Sequence, residues 1–133
     1  MQIVILYLAT AIPFLAIDAV ALSRVMAPLF RRHLGAALAD TPRLAPAAVF
    51  YLFYIMGVLV FVSLPALAAG APGQAFVMGA FLGALCYGTY EFTSFAVMRD
   101  WHWRMVLADT LWGAVLTGTT AALGVWITAA ILG

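Results

Sequence analysis

Three carboxylates, Asp18, Glu91 and Asp109, lie inside apolar stretches of the chain. There an ionised acid costs at least about 2.5 kcal/mol unless it is paired or reaches water. Such groups accept hydrogen bonds, hold cations or exchange protons, so each is a candidate for chemistry. Positions three and four apart share one face of a helix. On that rule Asp18 lies in line with Tyr7, Ala11 and Phe14. Glu91 stands above Tyr87 and Gly88, with Ser94 beyond it and Tyr90 and Thr93 to the sides. Asp109 continues into Trp112, Gly113, Leu116, Thr117 and Thr120.

Asp18 precedes Arg24 by six residues, Glu91 precedes Arg99 by eight, and Asp109 follows Arg104 by five. At 1.5 Å per helical residue these offsets are about 9, 12 and 7.5 Å. The three acids therefore reach a similar depth on three helices. The expected arrangement is a ligand pocket open toward the arginine side, with Asp18, Glu91 and Asp109 as acceptors and Tyr87, Tyr90 and Trp112 as walls. Two other readings stand beside it: protonated acids bonded to Tyr, Thr or a backbone carbonyl as interhelical ties, and lipid-headgroup contact.

The remaining chemistry is sparse. Neither His33 nor His102 has a second His or Cys at ligand spacing, and no EF-hand-like loop is present, so no metal site is expected. No nucleophile elbow, phosphate loop or Ser-His-Asp pattern occurs, which leaves catalytic residues and cofactors unassigned. Cys86 lies alone in an apolar run and reads as a small buried hydrophobe.

The elements that must position these acids are set by composition. The 133 residues are 67% hydrophobic and 8% charged, against about 25% charged in a soluble domain. A net charge of +1 from six arginines and five acids offers no basic field for nucleic acid. A bilayer core needs roughly 20 apolar residues per helix, and four segments meet that length, at about residues 3–22, 47–69, 74–98 and 105–131. The opening run lacks the basic start of a secretory signal and is read as a retained first span. The fold class is thus all-α, an integral membrane four-helix bundle, with residues 1–133 as one transmembrane domain. Between spans one and two, Val25, Met26, Leu29, Phe30, Leu34 and Leu38 alternate with Arg24, Arg31, Arg32 and His33. That pattern suggests an amphipathic interfacial helix. The alternative is a first span that simply continues into the cytosol.

All six arginines fall in the first and third links, and none in the second link or at either end. Arginine-bearing short loops stay cytoplasmic, so both termini are expected outside. Trp101, Trp103 and Trp126 are expected as interfacial belt anchors. Gly79 and Gly83 of span three repeat at the interval of Gly113, Thr117 and Ala121 in span four, which predicts close packing of those two helices.

The segment Tyr87-Gly88-Thr89-Tyr90-Glu91-Phe92-Thr93, followed after 15 residues by Asp109-Thr110-Leu111-Trp112-Gly113, resembles an uncharacterised bacterial family of predicted four-span membrane proteins, domain-of-unknown-function family twenty-one seventy-seven. The resemblance extends to Tyr7 to Thr10, the Arg31-Arg32 pair and Phe50 to Tyr54. Family members usually carry Asp followed by Leu-Thr-Asn in span three, and Trp three residues after the span-one Asp. Here Glu91, Ser94 and Ala21 stand at those places, which keeps the carboxylates and alters the reach and lining around them. The resemblance implies a multi-pass protein of the bacterial cytoplasmic (inner) membrane and, by association, a link to membrane lipids.

Three functions follow as expectations: binding of a small molecule or lipid in the acidic, aromatic pocket; an accessory structural subunit of a larger membrane complex, or self-association; and a lipid- or quinone-modifying enzyme. Membrane lipids are the expected partners, and nucleic acid is not. The orientation is tested by labelling. A cysteine placed at Gly133 should react with an impermeant maleimide in intact cells, and one placed at His33 should not; the reverse pattern would invert the topology.

Overall fold

The computed structural model describes residues 1–133 as four long helices joined by short links, α1 (Gln2–Ala37), α2 (Leu44–Ala69), α3 (Pro72–Val97) and α4 (Trp103–Leu132). All four are long and apolar enough to cross a membrane. Hydrocarbon offers no partner to a free N–H or C=O. Accordingly 98 of the 108 backbone hydrogen bonds run within the helices.

Local chemistry sets the ends. Gly70 closes α2 in the left-handed region at φ 63°, and the Ala71 N–H returns to the Ala66 carbonyl at 2.9 Å. Pro72 opens α3, where its missing N–H leaves no intrahelical bond unmade. Helix α2 starts at Leu44, three residues earlier than the hydropathy suggests, because Pro46 is tolerated in a first turn. At the start of α4 the imidazole Nδ1 of His102 accepts the Arg104 N–H at 3.1 Å.

Two wide turns interrupt the regular winding. At Leu22–Met26 the Ala27 N–H bonds the Leu22 carbonyl, and at Leu59–Ser63 the Leu64 N–H bonds the Leu59 carbonyl, each five residues apart. A proline follows each turn directly, Pro28 and Pro65. A proline ring crowds the carbonyl four residues before it, and a widened turn relieves that crowding without ending the helix. As a result α1 runs unbroken through the first arginines. It forms no separate helix lying flat at the surface: Leu29, Phe30 and Leu34 pack instead on Trp101, Met105 and Val106. Of the two sequence-based alternatives, the continuing first span is the one present.

The tightest packing joins α3 to α4. A Cβ built on Gly79 would lie 3.0 Å from the Gly118 Cα, one on Gly118 would lie 2.7 Å from the Phe76 carbonyl, and one on Gly83 would run into the Gly113 carbonyl. Helix α1 lies on the other side of α4, where a side chain on Gly124 would strike the Thr10 hydroxyl. Helix α2 joins the bundle over only part of its length. Tyr54, Ile55, Val58, Leu59, Val62, Ser63 and Ala66 are buried, whereas residues 44–50 are exposed, so its first turns stand away from the bundle at the arginine-bearing end. The outer faces carry Phe50, Phe53, Phe61, Phe81 and Leu111, an apolar exterior suited to lipid.

Because backbone cannot yield as a flexible side chain can, Gly83→Ala should cost about 1 to 3 kcal/mol. The comparison is Gly57→Ala, where nothing lies within 4 Å of the added carbon, and removing a mid-helix glycine should be neutral or stabilising by up to about 1 kcal/mol. Unfolding midpoints in mixed detergent and dodecyl sulfate micelles measure both. Equal midpoints would mean that the α3–α4 approach does not hold the bundle.

Candidate functional site

The acids occupy the arginine-bearing half of the bundle. Glu91 is completely buried on α3, and Asp109 of α4 stands beside it. Close approach of the backbones makes this pairing possible, since any Cβ on Gly113 would overlap the Tyr87 ring one turn below Glu91. One carboxylate oxygen of Glu91, Oε1, accepts the indole N–H of Trp101 at 2.9 Å. The other, Oε2, is buried and meets no N–H or hydroxyl of the chain, only the Asp109 carboxyl, which can bond it when one of the two acids is protonated; the hydroxyls of Tyr87 and Thr110 on the same two helices are buried without a partner.

Asp18 forms the second part of the cluster. It is 3% exposed on α1, and its Oδ1 accepts the Trp112 indole N–H at 3.0 Å, which ties α1 to α4. Tyr51 of α2 stands next to Asp18 and to the Tyr87 hydroxyl, and Asp109 is near enough to act on Asp18 through its charge. Deeper in the bundle the Tyr54 hydroxyl meets the Thr117 hydroxyl at 2.9 Å. The rings of Phe14 and Tyr54 lie 5.8 Å apart, and those of Tyr54 and Tyr87 6.2 Å apart. A continuous line of polar groups therefore runs from Glu91 and Asp109 past Asp18, Tyr51 and Tyr87 to Thr117, with all four helices contributing.

Five of the six residues singled out in the sequence, Asp18, Tyr87, Glu91, Asp109 and Trp112, thus fall in one cluster. Tyr90 does not. It is 55% exposed on the outer face of α3, with its ring edge-on to Trp101 at 5.7 Å. Trp101 departs most from expectation. It turns inward, 9% exposed, and covers Glu91, its ring held edge-on by Phe30 of α1 at 5.5 Å. A buried carboxylate without a donor is more costly than an indole lost from the interface, and the short link 98–102 allows the turn inward. The arginine side of the cluster is therefore closed by an indole. Trp103 and Trp126 remain exposed. Tyr51 and Tyr54 are not among the residues that the sequence singles out, because α2 is apolar nearly all round and gives no periodic sign of which face is inward; their hydroxyls, with that of Ser63 the only ones in the run, are the available signal.

Two apolar surface grooves do not reach the acids. One, of about 390 Å³, lies between α1 and α2 and is lined by Ile3, Tyr7, Met56, Val60 and their neighbours; the other follows Ala45, Val49 and Phe53. Both are lipid-facing. No group of three or more His, Cys, Asp and Glu side chains has the arrangement of a metal site.

No curated protein and no solved structure matches this chain. Over residues 3–126 it matches the family model described as "Predicted membrane protein (DUF2177)", and it belongs to that family.

Proposed function

We propose that this membrane protein binds a small amphiphilic molecule, a lipid or lipid-like compound, whose hydrogen-bond-donating or cationic head enters the cluster of Asp18, Glu91 and Asp109. Both termini face the outside, and the cluster lies in the cytoplasmic half of the bundle. The observation that carries this reading is Glu91: fully buried, with one oxygen held by Trp101 and the other facing only a second carboxyl, so that two acids share too few donors. A buried acceptor without a donor costs about 1 to 3 kcal/mol. An amine or hydroxyl arriving from a ligand recovers that cost, whereas an anionic head would be repelled. The tail has a route to lipid where the first turns of α2 diverge, since Tyr51 beside Asp18 is only half-buried there. Trp101 serves as the cover on the cytoplasmic side.

The competing reading, in which the acids are ties that hold helices together, assigns different consequences to amide variants. Asp109→Asn and Glu91→Gln keep shape and hydrogen bonding but cannot ionise. As binding-site changes they should leave unfolding midpoints within about 1 kcal/mol of wild type, while native mass spectrometry from mild detergent records loss of a copurifying amine- or hydroxyl-headed lipid. Variants that unfold, or that keep the same adducts as wild type, would remove the proposal. A stoichiometric protein partner retained equally by wild type and both variants would favour the accessory-subunit reading instead.

The cover has its own test. Trp101→Phe keeps the ring against Phe30 but deletes the donor to Glu91. A second oxygen is then left bare, and stability should fall by about 0.5 to 2 kcal/mol. Added to Glu91→Gln, the same change should cost clearly less, because a neutral amide needs the indole less than a carboxylate does. Additive losses would show that the indole acts through packing alone.

A further inference from the structure

At the arginine-bearing end, outside the acid cluster, two imidazoles from different elements stack face to face. His33 of α1 and His102, the capping residue of α4, have ring centroids 4.3 Å apart and planes inclined by 14°. The charged or chargeable groups that act on His33 are His102, Arg104 and Arg32, each a cation or able to become one. His33 Nε2 is buried without a hydrogen-bond partner. His102 Nδ1 already accepts the Arg104 N–H, so its Nε2 carries the proton and is a donor. The first turn of the 30-residue α4 adds the positive end of a helix dipole.

Apolar contacts force this convergence. Leu29, Phe30 and Leu34 dock on Trp101, Met105 and Val106 and thereby bring His33, with Arg32 next to it in the chain, to the start of α4. Like charges so gathered oppose the docking unless something neutralises them. We propose that Arg32, His33, His102 and Arg104 form a binding site for a phosphate group, carried by an anionic lipid headgroup or free in the cytosol. Phosphate suits the place chemically: guanidinium groups bind it through charge-assisted, bidentate hydrogen bonds, and a protonated imidazole adds a further donor. The level also suits a lipid, because loop arginines lie where headgroup phosphates are and the cytoplasmic leaflet is rich in anionic lipid. The site is independent of the acid cluster and stands or falls separately from it.

The test uses full-length, tag-free protein in a phosphate-free maltoside detergent, with the imidazole resonances of its two histidines followed by NMR. Inorganic phosphate is titrated in one arm and phosphatidylglycerol in mixed micelles in the other, each against chloride at equal ionic strength. The expected result is a saturable change at His33 and His102, with the His33 titration moved to higher pH because the anion favours the protonated ring. Arg32→Gln and Arg104→Gln should each weaken the response about tenfold or more, with unfolding midpoints unchanged. Both arginines are exposed, so neither variant removes a buried contact. A response to phosphate assigns a soluble anion, and a response to phosphatidylglycerol alone assigns a lipid headgroup. No saturable response in either arm, or a wild-type response in both variants, overturns the proposal.

Discussion

The contact between α3 and α4 is made at glycine, and its closeness governs the placement of every polar group in the bundle. Gly79 and Gly118 meet backbone to backbone, Gly83 faces the Gly113 carbonyl, and the Tyr87 ring fills the space above Gly113. In lipid no hydrophobic force draws two helices together, so van der Waals contact and hydrogen bonding must do so. Small residues let the backbones come close, and close backbones bring short side chains within reach. Asp109 can stand beside Glu91 only because the helices one turn away touch without intervening side chains. Helices α1 and α2 then add Asp18, Tyr51 and Tyr54 to a frame already set.

Within that frame polar groups are satisfied unevenly. Two indole N–H groups serve two carboxylates, Trp101 for Glu91 and Trp112 for Asp18. The Tyr54 and Thr117 hydroxyls serve each other. Glu91 Oε2 and the Tyr87 and Thr110 hydroxyls are left over. A purely structural network gains nothing from unpaired members, since each costs more than its pairing would return. The surplus comprises one carboxyl oxygen and two hydroxyls, each hydroxyl able to donate as well as accept.

Much of this was legible in the sequence, for reasons that differ by residue. The four spans follow from hydropathy, because hydrocarbon permits few other structures. The acids' common depth follows from counting to the nearest arginine, since rise per residue is fixed. The α3–α4 contact follows from the interval of Gly79 and Gly83. What escaped were decisions between two nearly equal environments. Trp101 suits an interface as well as it suits a buried carboxylate, and only the three-dimensional position of Glu91 decides. Tyr90 lies next to Glu91 in sequence, yet the 100° step between neighbours turns it outward to lipid. The run through Pro28 stood as only one of two alternatives, because a proline reads as a break unless the turn before it is known to widen.

A guanidinium from the nearby arginines is the obvious candidate to neutralise Glu91 and Asp109, and the fold keeps it away. Arg104, one turn and a half from Asp109 along α4, lies over the Trp103 ring at 5.8 Å. Moving it inward would strip its hydration and place a permanent charge in the apolar interior, an exchange that a buried ion pair only rarely repays. Trp101 supplies one donor to Glu91, and an indole, unlike an arginine, carries no charge that must be desolvated. The adjacent residues Trp101 and His102 therefore divide two regions of opposite character. Inward of the indole stand the carboxyls and hydroxyls, and outward of it, around the stacked imidazoles, stand Arg32 and Arg104. That division lets the acids stay unpaired by the chain's own cations although the two sets are joined by a single peptide link.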